Sequence, residues 1–295
     1  MARREVILGH GAMLLFSALV AGSFSLGSRA ANLIDPTALT ALRFVIAAGV
    51  IAGVAMAGRG IPVRAFSAPW RYMLLGGVFS VYFVLMFEGL KTAPPVSASA
   101  VFTLTPLMAA GFGWFLLRQK LTLRMFSALL LGGMGALWVI FRGDVQAMAR
   151  LEFGRGEAIY LAGCVAHALY TPLVRRLNRG ESAVVFTLGT LIAGAVILIV
   201  WGRDALVATD WANLPAIVWI TLIYVALFAT AASFVLVQFA ALRLPAAKVM
   251  AYTYLTPIWV VLLEVLLGQG MPGAAVLPGI VVTLAALLML LKDDG

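Results

Sequence analysis

Chemistry in this sequence would have to come from the few polar side chains placed inside long apolar runs. A charged group at the centre of a membrane-spanning helix costs roughly 2.5–3.5 kcal/mol on insertion scales, and such groups tend to be functional. His167 falls in the middle of one run, with Cys164 and Thr171 on its helical face and Tyr170 one turn away. A histidine titrates near neutral pH, so it either relays protons or holds a carboxylate; the plain alternative is a ring packed between helices. Arg43 either snorkels to the surface or holds a partner helix. Glu88 lies three residues before Lys91, the spacing of an interfacial ion pair. Glu264, two-thirds along its run, either takes up a proton or meets the outer interface.

Aromatic residues supply the rest of a candidate site. Tyr252, Thr256 and Trp259 recur at i, i+4 and i+7 with Tyr254 nearby, and Phe79, Tyr82, Phe83 and Met86 share a face in the same way. Such stripes usually serve packing or lipid contact. A tyrosine at mid-depth, however, needs a partner for its hydroxyl, so Tyr82, Tyr170, Tyr252 and Tyr254 are expected to face inward. Ser23, Ser25 and Ser28 add small donors. The candidate substrate-binding set is therefore Ser23, Tyr82, His167, Tyr170, Tyr252, Tyr254 and Trp259, in a cavity suited to a flat, partly apolar zwitterion. Arg43, Glu88 and Glu264 are the candidates for proton or ion-pair roles. Paired acids and a phosphate-binding glycine loop are both lacking, and one cysteine and two histidines cannot make a disulfide framework or a metal cluster. The expectation is no enzyme, no metal and no cofactor.

These residues must be positioned by helices in lipid. Of 295 residues, 63% are hydrophobic and 11% charged, too few ionisable groups for the polar skin of a water-soluble domain. Runs of about 20 apolar residues, the length that crosses a bilayer, fall at 9–31, 38–57, 70–90, 96–117, 123–141, 157–174, 182–201, 213–241, 246–267 and 274–291. The first has a basic start but is too long for a signal peptide. The net charge of +9 sits in gaps between runs rather than on a stripe, which speaks against nucleic acid. With a cytoplasmic N-terminus, fourteen Lys and Arg fall inside and six outside, the bias of cytoplasmic loops. Ten spans with both termini cytoplasmic satisfy it, in a bacterial-type inner (plasma) membrane.

The chain also repeats itself. The 24 residues from Phe83 to Pro106 align without a gap on those from Phe234 to Pro257, at an offset of 151 and with eight identities. Each copy runs through a proline turn into a span that carries Leu-Thr-Pro midway. Five spans per half is odd, so the copies, residues 1–150 and 151–295, must lie inverted across the bilayer, a recurring transporter design with its site near the midplane. Pro106 and Pro257 remove a backbone donor each and mark kinks, either gating bends beside a wet cavity or static packing devices. Gly49 with Gly53, Gly76 with Gly77, and Gly132, Gly133 and Gly135 are expected to permit close helix contact.

Ala38-Leu39-Thr40-Ala41-Leu42-Arg43-Phe44, Ala98-Ser99-Ala100 with Leu104-Thr105-Pro106, and Leu255-Thr256-Pro257 with Leu267-Gly268-Gln269 resemble the drug/metabolite transporter superfamily, in its ten-helix branch with two EamA-type repeats. The chain looks most like the aromatic amino acid exporters of that group. It departs from the pattern at Gln119 and Gln269, where the family often has a glutamate after the fourth and ninth spans, so no role of that acid carries over. The resemblance implies an all-α membrane protein of ten transmembrane helices in two inverted five-helix repeats. It also implies a secondary transporter that exports small metabolites, amino acids foremost, as a monomer or weak oligomer. The rivals are a drug or nucleotide-sugar carrier of the same fold, and a flippase or membrane enzyme.

Overall fold

The computed structural model describes residues 2–58, 60–150 and 152–291. Among them, ten helices are long and apolar enough to cross a membrane: α1 (Arg4–Ala30), α2 (Pro36–Ala57), α3 (Trp70–Leu90), α4 (Pro95–Leu117), α5 (Leu123–Ile140), α6 (Arg155–Leu177), α7 (Ala183–Trp201), α8 (Ala216–Ala241), α9 (Ala246–Leu266) and α10 (Ala274–Leu291). Each lies on one of the expected apolar runs. Local signals set the ends. Asp35 caps α2, its Oδ1 accepting from the backbone N–H of Thr37 (2.7 Å) and Ala38 (3.2 Å), with Pro36 as the first helical residue. Thr122 and Ser182 cap α5 and α7 in the same way. Short helices at Val145–Ala149 and Arg203–Ala208 lie between spans.

The packing repeats with the span number. α3 runs along α6 and α7, as α8 runs along α1 and α2; α4 touches α5 and α6, as α9 touches α10 and α1; α2 pairs with α7, α4 with α9 and α5 with α10. Advancing every helix by five maps this set onto itself. In the α4–α9 pair, the first part of each helix lies against the second part of the other, so the two equivalent spans are antiparallel. The chain is two inverted five-helix repeats. Below, the near face is the one where α1 begins, and the far face the one where it ends.

Three breaks matter for the interior. α4 is interrupted after Phe102 and resumes at Thr105, and α9 passes through a tight turn at Tyr252–Leu255 before resuming at Thr256. Pro106 cannot donate to the carbonyl of Phe102, and the Thr105 hydroxyl donates to it instead at 2.6 Å. The same hydroxyl meets Thr253 Oγ1 at 3.3 Å, so the two breaks adjoin. α8 widens into a π-helix at Leu227–Ala232, a local distortion that often accompanies functional sites.

Glycines bring backbones together at three crossings. A Cβ on Gly76 would lie 2.5 Å from the backbone N of Gly194, one on Gly135 2.8 Å from the carbonyl O of Gly279, and one on Gly89 2.7 Å from that of Gly156. Gly132 is packed against the Tyr254 ring. Gly49 and Gly53 overturn their expectation: no atom of another element lies within 4 Å of a Cβ placed there.

Candidate substrate site

A small cavity lies near the middle of the bundle where α1, α3, α6 and α8 converge. Its wall includes Phe16 and Ser23 of α1, Phe79, Tyr82, Phe83 and Met86 of α3, His167 of α6, and Ala229, Ser233 and Phe234 of α8. The space open to the centre of a water molecule is about 10 Å³, enough for about one water. In this conformation the site is shut by its own rings. Phe79 stands 4.3 Å centroid to centroid from Phe234 and 5.4 Å from Phe83, edge-on arrangements worth about 0.5–1.5 kcal/mol each beyond burial. Phe83 and Phe234 are equivalent under the offset of 151, and they stack 5.9 Å apart at 11°, so the pseudo-two-fold relation meets the cavity wall.

Polar atoms are few and pointedly unsatisfied. His167 is 2% exposed, within 4.4 Å of the Tyr82 ring, 5.1 Å of Phe102 and 5.3 Å of Phe79 by centroids, and neither ring nitrogen has a hydrogen-bond partner among the described residues. The Ser23 hydroxyl is buried and equally unpartnered. A buried polar group without a partner costs about 1–3 kcal/mol, so these atoms are suited to meet a polar guest. Tyr82 shares a hydrogen bond with Tyr160 at 3.1 Å.

Arg43 sits behind this wall. It is fully buried, so it does not snorkel; it holds a partner helix. Its Nε donates to Thr230 Oγ1 at 2.8 Å and its Nη2 to the carbonyl of Ala229 at 3.2 Å, both in the π segment of α8. The guanidinium lies 3.7 Å from the centre of the Phe83 ring.

The structure thus gathers Ser23, Tyr82 and His167 at one cavity. Tyr170 stands beside it, 3.7 Å by centroids from Phe79, its hydroxyl accepting from Gln238 Nε2 at 2.8 Å. Tyr252 and Trp259 instead join α9 to α1: the Tyr252 hydroxyl meets His10 Nδ1 at 3.1 Å, and the Trp259 indole N–H donates to Ser17 at 3.1 Å. Tyr254 belongs to a separate apolar cluster with Met125, Ala128 and Leu287 of α5 and α10. Glu88 pairs with Lys91 at 2.6 Å at the far end of α3, and Glu264 lies in the last turn of α9, away from the cavity.

Two acids outside the expected site residues are drawn into the fold, Glu157 buried and Glu181 partly so. Glu181 pairs at 2.7 Å with Arg71, which is fully buried rather than in a loop and also donates to the carbonyl of Leu177 at 2.7 Å. This pair ties the start of α3 to the α6–α7 loop at the near face. Burial alone would raise the Glu181 carboxyl, but hydrogen bonds from Arg71 and from backbone N–H groups, with the charge of Arg71, hold it below its ordinary value. At the far face, Ser97 of α4 donates to the buried Glu157 of α6 at 2.8 Å. Neither acid differs in type or spacing from an exposed loop charge, so the sequence carries no signal of its burial.

Ten helices long and apolar enough to cross a membrane, packed among the described residues as an inverted repeat, define a multi-pass membrane protein. The model of the EamA-like transporter family matches residues 7–141 and 154–292, and the chain belongs to that family. It is 26% identical over 278 residues to "Uncharacterized transporter YyaM" of Bacillus subtilis (strain 168), covering 93% of this chain and 91% of the relative. It is 29% identical over 218 residues to "Aromatic amino acid exporter YddG" of Ancylobacter novellus, covering 72% of this chain and 73% of that one. A crystal structure superimposes with a TM-score of 0.74 at 22% identity, over 98% of this chain and 97% of the other, a likeness of fold. The chain is a transporter of a small-molecule substrate, not an enzyme.

Proposed function

We propose that this protein exports amino acids with aromatic or apolar side chains, by alternating access around the cavity between α1, α3, α6 and α8. The observation that carries the reading is the cavity wall itself: stacked aromatic rings with isolated neutral hydrogen-bonding groups, Ser23 and His167, among them. Rings suit an apolar side chain, and the two polar groups suit a polar end at one side of it. The 29% identity to a protein named as an aromatic amino acid exporter supports the same substrate class. In this reading the near face is cytoplasmic in the inner membrane, each half (1–150 and 151–295) is one repeat unit, and the chain works as a monomer or weak oligomer. The cavity is too small for an amino acid as it stands, so loading requires the four spans to part.

Proteoliposomes containing the purified protein should take up labelled phenylalanine, threonine or methionine faster than protein-free vesicles. Absence of flux for every amino acid overturns the proposal. Flux that follows an imposed pH gradient identifies proton coupling; flux indifferent to it identifies movement down the substrate's own gradient.

A further inference from the structure

We infer that Arg43 is the anchor for a carboxylate on the substrate, screened from the cavity by the ring of Phe83. The inference deepens the amino-acid reading and rests on it for the substrate class.

A guanidinium is charged at any physiological pH. Burying a charge is costly unless a counter-charge accompanies it, and a lone one in a membrane interior marks function. Arg43 is 0% exposed, yet the ion pairs formed among the described residues join Arg71 to Glu181, Lys91 to Glu88, Arg150 to Glu152 and Arg243 to Glu5. None involves Arg43. Its contacts are neutral: a threonine hydroxyl, one carbonyl and the face of Phe83. Its Nη1 is buried with no hydrogen-bond partner among the described residues.

An anionic group would pair this charge, and the place to receive one is adjacent. Phe83, against which the guanidinium lies, and Ala229, whose carbonyl it holds, both line the cavity. A cation–π contact is worth about 2 kcal/mol when desolvated, whereas an ionised hydrogen-bonded pair is considerably stronger. Rotation of Phe83 away from Arg43 therefore exchanges a weaker partner for a stronger one once a carboxylate enters. The same movement enlarges a site that now holds about one water. His167 of α6 and Ser23 of α1, the other polar groups of the wall, are left for the amino group and its hydrogens.

The test uses ligands that separate charge from shape. Phenylalanine and 3-phenylpropionate carry the carboxylate, and phenethylamine lacks it. In the purified wild-type protein the first two should raise the melting temperature and phenethylamine should not. Arg43→Gln, whose amide nitrogen falls where the arginine Nε donates to Thr230 but carries no charge, should lose the discrimination, with phenylalanine KM rising at least tenfold. Arg43→Lys, which keeps the charge, should retain the preference. Phe83→Ala, which removes the screen, should tighten 3-phenylpropionate binding several-fold; a purely structural arginine would not produce that gain. The inference is overturned if phenethylamine stabilises the wild type as well as 3-phenylpropionate does, if Arg43→Gln preserves the preference, or if sodium chloride or inorganic phosphate alone gives the same stabilisation. If phenylalanine does not move in proteoliposomes, the amino-acid proposal fails alone, and the 3-phenylpropionate comparison still decides the role of Arg43.

Discussion

His167 illustrates what single residues disclose. Its type and its place mid-run mark it in the bare sequence, and Ser23 and Tyr82 share its cavity because each is a polar group at mid-depth on an inward face. Tyr252 and Tyr254 are both buried but neither lines the cavity: they sit in the tight turn of α9, and residues two apart there face different neighbours, α1 for Tyr252 and the α5–α10 cluster for Tyr254. The burial of Arg71 and Glu181 leaves no trace in the sequence, because a charge at a span end reads alike whether it reaches water or folds inward. Two outcomes follow at this scale. His167→Ala should lower flux at least fivefold while the protein still expresses and folds, since among the described residues neither ring nitrogen has a partner to lose; unchanged flux would mark the ring as packing. Glu181→Gln should cost about 1–3 kcal/mol at pH 7, since the buried Arg71 guanidinium loses its charged partner while Glu181 itself is only partly buried. Because the Glu181 carboxyl is held below its ordinary value, the pair's contribution is complete above the usual carboxylate range and disappears as pH falls through the lowered value. Melts of wild type and Glu181→Gln should therefore converge as pH falls through and below the carboxylate range, and a gap independent of pH contradicts the pairing.

Helices were the most legible level. Apolar runs gave all ten spans, and the gapless match at an offset of 151 placed the breaks of α4 and α9 at equivalent positions. The π segment of α8 had no forewarning, because Leu227–Ala232 has the composition of ordinary α-helix in lipid. It is nevertheless the segment that presents Ala229 and Thr230 to Arg43. The breaks themselves bear on rate. Pro106→Ala restores a backbone donor toward Phe102, whose carbonyl is now served by Thr105, and Pro257→Ala does the equivalent in α9. Each should slow turnover severalfold with little change in KM, because a continuous helix resists bending while the cavity wall is untouched. Equal turnover in the double variant would make both prolines static packing devices.

At the scale of the whole molecule, the cavity between α1, α3, α6 and α8 has room for about one water, and loading it is a matter of bundle opening. Cys164, the sole cysteine and fully buried, reports on it. Alkylation by N-ethylmaleimide should be at least a hundredfold slower than in denatured protein, and a transported substrate should change its rate; labelling as fast as in denaturant would contradict a closed bundle.

The Arg71–Glu181 pair also bears on direction. The halves are related by an offset of 151, yet the position equivalent to Arg71 is Leu222, apolar and buried. If transport proceeds by the proposed alternating access, this charge pair latches the near face while the equivalent position on the far face has none, so the inward-open and outward-open states differ in energy. For a carrier driven by concentration alone, detailed balance makes Vmax/KM the same for both directions of travel. The bias must then surface as unequal half-saturation constants on the two sides, matched by equally unequal maximal rates. Releasing the latch with Arg71→Met should bring those two constants together.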